Sequence, residues 1–313
     1  MDKSKNSEQK INQNHKNNNN QMFESKFQNE KDEINEIIME LKISHKEKEK
    51  EINILCDKNK LIEDNKLKEK FNKNNFNPSK EFNYFNKDNT KLYLNDNQIE
   101  FNYKLKFNKK GINKIIINSN IKLYSLSSMF FNCKNIINIK FIKFNTNNVT
   151  DMREMFYNCE NLNELNLSSF KTNNVINMRH MFSRCENLSN LDLSSFNTNN
   201  IIDMNHMFSD CKNLNKLNVS SFNTKNVINM NNMFSYCYNL SELNLSSSFN
   251  TNNVTDMNSM FSNCEKLTEL DLSQFNTNNV ENMNSMFSHC KTLSELNLSS
   301  FKTNKVIDMN YLF

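Results

Sequence analysis

The chain has 313 residues, with one Gly, one Pro and neither Trp nor Ala, where average usage would give roughly 22 Gly and 16 Pro. With Gly111 as the only glycine, phosphate-binding P-loops, GxGxxG dinucleotide sites, the GxSxG nucleophile elbow, EF-hand loops and kinase Gly-rich loops are excluded. The net charge of +4 is uneven, with 24 basic and 19 acidic residues in 1–120 against 15 and 16 in 121–313, so the C-terminal part offers little footing for nucleic acid.

Asn makes up about a fifth of the chain, and Lys, Ile and Phe are plentiful. These residues have AT-rich codons, so the bias reads as genomic. The opening MDKSKNSEQK lacks an apolar h-region, and no run of 18 apolar residues exists. These features predict a cytoplasmic protein without a signal peptide or membrane-spanning segment, the alternative being the cell surface by a route that is not evident.

Residues 1–29 are rich in Asn and Lys and predict disorder. Residues 30–72 are rich in Glu, Lys, Ile and Leu. There Ile34, Ile37, Ile38 and Leu41 fall at i, i+3, i+4 and i+7, the spacing of an amphipathic helix. Ile52, Leu55 and Ile62 keep a heptad register with Ile38 and Leu41, while His45, Lys48 and Asn59 interrupt the seam. A solvated helical arm and a short dimerising coiled coil both fit. Residues 73–90, with Pro78, read as a linker. Residues 91–120 predict a strand-rich N-terminal cap, with strands at Leu92–Leu94, Ile99–Phe107 and Ile112–Ile117. Gly111 falls in the turn before the last of these, where positive φ is often required.

From about residue 121 the sequence repeats. Cys133, Cys159, Cys185, Cys211 and Cys237 are 26 apart; Cys264 follows after 27 and Cys290 after 26. Phe170, Phe196, Phe222, Phe249, Phe275 and Phe301 keep the same rhythm, as do Met178, Met204, Met230, Met257, Met283 and Met309. About seven and a half units span 121–313. One unit alone cannot bury its Phe, Met, Cys and Leu side chains, but stacked units form one continuous core. The MxxMFxxC segment has the 3–4 spacing of a helical turn, and LxxLxL ends in the alternation of a strand. The F-x-T-N-N segment predicts a turn in which Asn takes the left-handed conformation that Gly would otherwise supply.

The pattern VxxMxxMFxxCxxLxxLxLSxFxT resembles the BspA-like leucine-rich-repeat proteins, and more narrowly the mycoplasma-lipoprotein-type repeat of unknown role. That family occurs in bacterial surface proteins and is expanded in several protists. The resemblance covers about residues 91–313. It implies a leucine-rich-repeat solenoid, a short strand plus a short helical turn in each 26-residue unit. It also implies either a protein-interaction scaffold or a surface adhesion protein.

The candidate partner-binding face is the outward side of the LxxLxL strand: Glu164 and Asn166, Asn190 and Asp192, Lys216 and Asn218, Glu242 and Asn244, Glu269 and Asp271, Glu295 and Asn297. It is polar and mildly acidic. Tyr236 and Tyr238 are an aromatic pair that reads as exposed. No nucleophile–base pairing or HExxH motif is present, so an enzyme is not expected, and neither is a cofactor. The cysteine register fits small buried hydrophobes, inter-unit disulfides or a metal. His180 and His206 share a repeat position held elsewhere by Glu154, Asn232, Ser259 and Ser285, a variability that predicts exposure. Asn-x-Ser/Thr sequons read as by-products of the repeat. Two sites for self-association are open, 30–72 and the C-terminal end carrying Val306, Met309, Leu312 and Phe313; for that end the alternative is that the chain is a fragment.

Overall fold

A computed structural model describes residues 35–57, 85–245 and 248–313. The segments 1–34 and 58–84 lie outside it, and with them the expected disordered arm and most of the expected linker.

The described residues contain ten strands and no helix. In chain order these are β1 (Asn35–Ile43), β2 (Glu51–Asn53), β3 (Thr90–Leu94), β4 (Asn97–Ile99), β5 (Lys104–Lys106) and β6 (Gly111–Ser119). Then come β7 (Ile136–Lys143), β8 (Glu164–Asn166), β9 (Lys216–Val219) and β10 (Glu242–Leu245). The order β4-β3-β6-β1-β7-β8 forms one sheet; β9–β10 and β2–β5 are separate pairs.

The helical or coiled-coil arm expected over 30–72 is therefore corrected for residues 35–57. The apolar residues of β1 also fit period 2, and Ile37, Met39, Leu41 and Ile43 are the ones buried. The strand lies between β6 and β7 and is antiparallel to both; Met39 faces Ile115 on one side and Ile139 on the other. Pairing on both edges places Ile37, Met39, Leu41 and Ile43 in the shared core, a burial that a lone helix in water cannot match. Between β3 and β4, Asn95 and Asp96 both take positive φ, as a two-residue type I′ hairpin requires. Gly111 opens β6 at φ +101°. Phe85 is buried, and its carbonyl accepts the Tyr103 hydroxyl.

β7 joins this sheet to the repeats by pairing parallel with β8, Ile139 opposite Leu165. The units then stack, but not as the leucine-rich-repeat solenoid of strand plus helical turn. The MxxMFxxC segment forms three overlapping tight turns. In Met178–Cys185 the N–H groups of Met181, Ser183 and Cys185 bond three residues back, to Met178, His180 and Phe182. The N–H groups of His180, Phe182 and Arg184 instead bond to Asn205, Met207 and Ser209 of the next unit. Alternate amides thus run along the stack, and no i→i−4 pattern is left for a helix. His180 and Arg184 take positive φ, 54° and 63°, and the equivalent residues of other units do the same. The left-handed positions lie here, not at Thr-Asn-Asn, whose Asn residues are absent from the positive-φ set.

The Thr-Asn-Asn corners work differently. Thr172, Thr198, Thr224, Thr251 and Thr277 are buried. Thr198 Oγ1 donates to the Asn223 carbonyl at 3.0 Å and accepts the Asn223 N–H at 2.8 Å, so the hydroxyl serves as a ladder residue between units. We expect Thr198→Val to destabilise the fold by about 1–3 kcal/mol, because it strands both backbone groups. Thr198→Ser keeps the hydroxyl and costs only about 0.8 kcal/mol for the lost methyl. Urea midpoints that rank the two variants in the opposite order would contradict this role.

The most continuous ladder is also not the LxxLxL segment. That segment pairs only at β7–β8, at β9–β10 and at the Glu269–Glu295 bridge. Parallel bridges instead link Ser125, Asp151, Asn177, Asp203, Asn229, Asp256, Asn282 and Asp308 in unbroken succession. From residue 151 onward, Asp and Asn alternate at this position. Each side-chain Oδ1 accepts the N–H two residues ahead, as in Asp203 to Asn205 at 2.9 Å. Two carboxylates one rung apart, about 4.8 Å, would repel by about 3 kcal/mol at an effective dielectric of 20. Alternation doubles the separation and puts a neutral amide between them.

Inside the stack, Phe156, Phe182, Phe208, Phe234, Phe261 and Phe287 form a continuous ring column with centroids 5.6–5.8 Å apart. The repeat cysteines are reduced, and Cys133 to Cys264 are buried. Each thiol from Cys159 onward donates to a Phe carbonyl of the preceding unit, as in Cys185 Sγ to Phe156 at 3.2 Å. Burial pushes the thiols up, to about 12 at Cys237 and about 11 at half-buried Cys290.

Candidate functional site: the outward strand face

All twelve candidate residues of the strand face are exposed, because the leucines between them point into the core. Stacking sets them in two columns. Asn138 sits opposite Glu164, Lys216 opposite Glu242, and Glu269 opposite Glu295 in the first; Lys140 sits opposite Asn166 and Asn218 opposite Asn244 in the second.

The two columns differ chemically. The second is partly committed to the fold. Asn166, Asp192, Asn218, Asp271 and Asn297 each accept the N–H of the serine two residues on, at 2.9–3.0 Å. At Asp192 and Asp271 that backbone bond, with a further bond from the serine side chain, holds the carboxyl below the usual range. Both stay ionised at neutral pH. In the first column Lys216 pairs with Glu242 at 2.6 Å, whereas Glu269 and Glu295 are bridged neighbours of like charge. The face thus carries a mixed centre and an acidic far end.

At its other end the face is concave. A cavity of about 670 Å³ lies beside β7, lined in part by Lys140, Ile142, Glu164, Asn166, Asn190 and Asp192. Glu164, Asn166, Asn190 and Asp192 come from the repeat pattern. Lys140 and the exposed Ile142 come from β7, where the first unit departs from the consensus. The signal available in sequence was the eight-residue IINIKFIK run, longer than LxxLxL.

The other singled-out residues divide. Tyr236 is exposed and Tyr238 half-buried, edge to face at 6.0 Å. His180 is buried and His206 half-buried, their rings stacked at 4.3 Å, and Glu154 at the same repeat position is buried. The variability of that position therefore reflects a polar column packed between units and not an exposed one. Beside it, Arg153 clamps Asp151 through Nε at 2.8 Å and Nη2 at 2.6 Å, both side chains largely buried. Burial raises Asp203, opposed by the Asn205 N–H and by the charges of Arg179 and Arg153. Among the described residues, no group of three or more His, Cys, Asp or Glu is placed to hold a metal ion. No helix among them is long and apolar enough to cross a membrane.

Neither a curated protein nor a solved structure matches the chain. One family model matches twice, over residues 124–245 and 215–313. The two matches begin at the first stacked unit and together span more than half of the chain. The matches cover the stacked units of Met, Phe, Cys and Leu, and the chain belongs to the family described as Mycoplasma protein of unknown function, DUF285.

Proposed function

We propose that this chain is a non-enzymatic binding module that takes a protein partner on the outward strand face, with the cavity beside β7 as the anchoring point. The observation that carries the reading is that cavity. It sets exposed Ile142 next to Lys140, Glu164 and ionised Asp192, which combines an apolar contact with charged groups of both signs. Interfaces commonly pair a buried apolar anchor with a polar rim. Glu269, Asp271 and Glu295 extend the surface at its far end as an acidic track that favours a partner segment carrying Lys or Arg.

The experiment is affinity capture with quantitative mass spectrometry from the native cell. Three forms are compared: the parent, a cavity variant (Glu164→Lys with Asp192→Lys), and Lys171→Glu, an exposed substitution at the Thr-Asn-Asn corner. The partner is expected with the parent and with Lys171→Glu, and to fall by about tenfold or more with the cavity variant, as like-charge juxtaposition costs several kcal/mol. Equal recovery by all three would remove the strand face from the reading.

A further inference from the structure

A second surface stands apart from the strand face, and the inference from it does not depend on the function proposed above. The unbroken ladder of parallel bridges presents one outward column, the residue just before each bridged residue: Tyr124, Thr150, Ile176, Ile202, Ile228, Thr255, Glu281 and Ile307. These residues are hydrogen-bonded rung to rung, as in Ile202 N–H to Ile176 at 2.9 Å and Ile228 N–H to Ile202 at 3.0 Å. Ile176, Ile202 and Ile228 are exposed by 48%, 44% and 49%. Elsewhere the exposed columns carry Asn, Ser or charged residues; this one is β-branched and uncharged over the five rungs from Thr150 to Thr255 and apolar at its three isoleucines, the first charge being Glu281 one rung beyond. Exposed sheet surfaces are commonly guarded by charge, and over these five rungs that guard is missing.

We infer that this column is a self-association surface, and that its occupant is the same column of a second copy lying antiparallel. Three features select that occupant. The order Thr150, Ile176, Ile202, Ile228, Thr255 is a palindrome about Ile202. A two-fold axis at Ile202 therefore sets Ile176 against Ile228 and Thr150 against Thr255, the self-complementarity that an isologous interface needs. The rung spacing of a second copy matches by construction, so these three isoleucines find partners at once. The flanking column of Asn148, Asn174, Asn200, Asn226 and Asn253 is uncharged, so no like-charge barrier opposes the approach along that side. Five rungs at about 4.8 Å make a stripe only about 20 Å long, short of the ~800 Å² per partner of a standard interface. The dimer is accordingly weak and concentration-dependent.

Sedimentation equilibrium from micromolar to millimolar concentration tests this on the full chain. The parent is expected to pass from monomer to dimer. The decisive pair is Ile176→Lys with Ile228→Glu, against Ile176→Lys with Ile228→Lys. Both double variants place two charges on exposed positions, so they burden folding alike, and circular dichroism checks that each is folded. In the antiparallel arrangement position 176 of one copy meets position 228 of the other. The variant with opposite charges at the two positions should keep the dimer, and the variant with two like charges should weaken it by about tenfold or more. A parent that stays monomeric at millimolar concentration would overturn the inference. So would equal association of the two variants, or assemblies larger than a dimer that neither variant affects.

Discussion

Phe208→Ala should cost about 3–5 kcal/mol, the range for emptying a fully buried aromatic site. Its ring lies 5.7 Å from Phe182 and 5.6 Å from Phe234, nearly parallel to both, and is wholly buried. The neighbours cannot collapse into the gap, because each is held in register by the hydrogen bonds that run from unit to unit, such as Phe208 N–H to Met233 at 2.9 Å. Chemical denaturation followed by circular dichroism gives the loss. Ile202→Ala, in the same unit but on the exposed column, is the control and should cost well under 1 kcal/mol of folding stability. Equal losses at the two sites would mean that the ring column does not carry the stack.

Asn229→Asp should destabilise the fold at neutral pH by about 2–4 kcal/mol, with the loss fading as pH falls. The substitution places a carboxylate between Asp203 and Asp256, each one bridge away, and repulsion at that spacing is about 3 kcal/mol per neighbour before relaxation. Asp203 is already held above the usual carboxylate range by burial. The new group is pushed further up by two negative neighbours. A carboxyl with a raised folded-state pKa destabilises the fold when ionised, so the penalty is complete above that pKa and relieved below it. The difference between variant and parent should therefore shrink between about pH 7 and pH 4. Asn229→Ser keeps a neutral side-chain acceptor for the Asn231 N–H, as Ser125 does for Ser127 at the first rung, and should show no such pH dependence. A penalty for Asn229→Asp that is flat with pH would refer the Asp/Asn alternation to some cause other than charge.

Several elements differ from what their spacing predicts for one physical reason: local spacing does not say where backbone hydrogen bonds go. Ile34, Ile37, Ile38 and Leu41 satisfy a helical period, yet Ile37, Met39, Leu41 and Ile43 satisfy period 2 equally well. The choice was made by β6 and β7, some eighty to a hundred residues away. MxxMFxxC likewise has helical spacing, but half of its amides bond to the next unit. Its left-handed residues range over Ser, Glu, His, Arg, Asp, Asn and Tyr, so no residue type marked them. The buried threonines looked like turn residues because a hydroxyl acting as a ladder group has no distinctive neighbour in sequence. At His180 and Glu154 variability resembles exposure, whereas a column between stacked units tolerates any side chain that packs with its neighbours in the column.

The sequence by itself determined the period, the unit count and the identity of the core, because burial of Phe, Met, Cys and Leu at fixed positions is a property of each unit and shows in each. It also placed the exposed strand-face residues, since they alternate with buried leucines. Only the tertiary structure decided the backbone path, the continuous Asp/Asn ladder, the joining of β1 and β7 to the stack, the cavity beside β7 and the apolar Ile column. Each of these depends on which residues of neighbouring units and distant strands share hydrogen bonds, and that pairing is set by stacking across 26 residues or more and has no local signature.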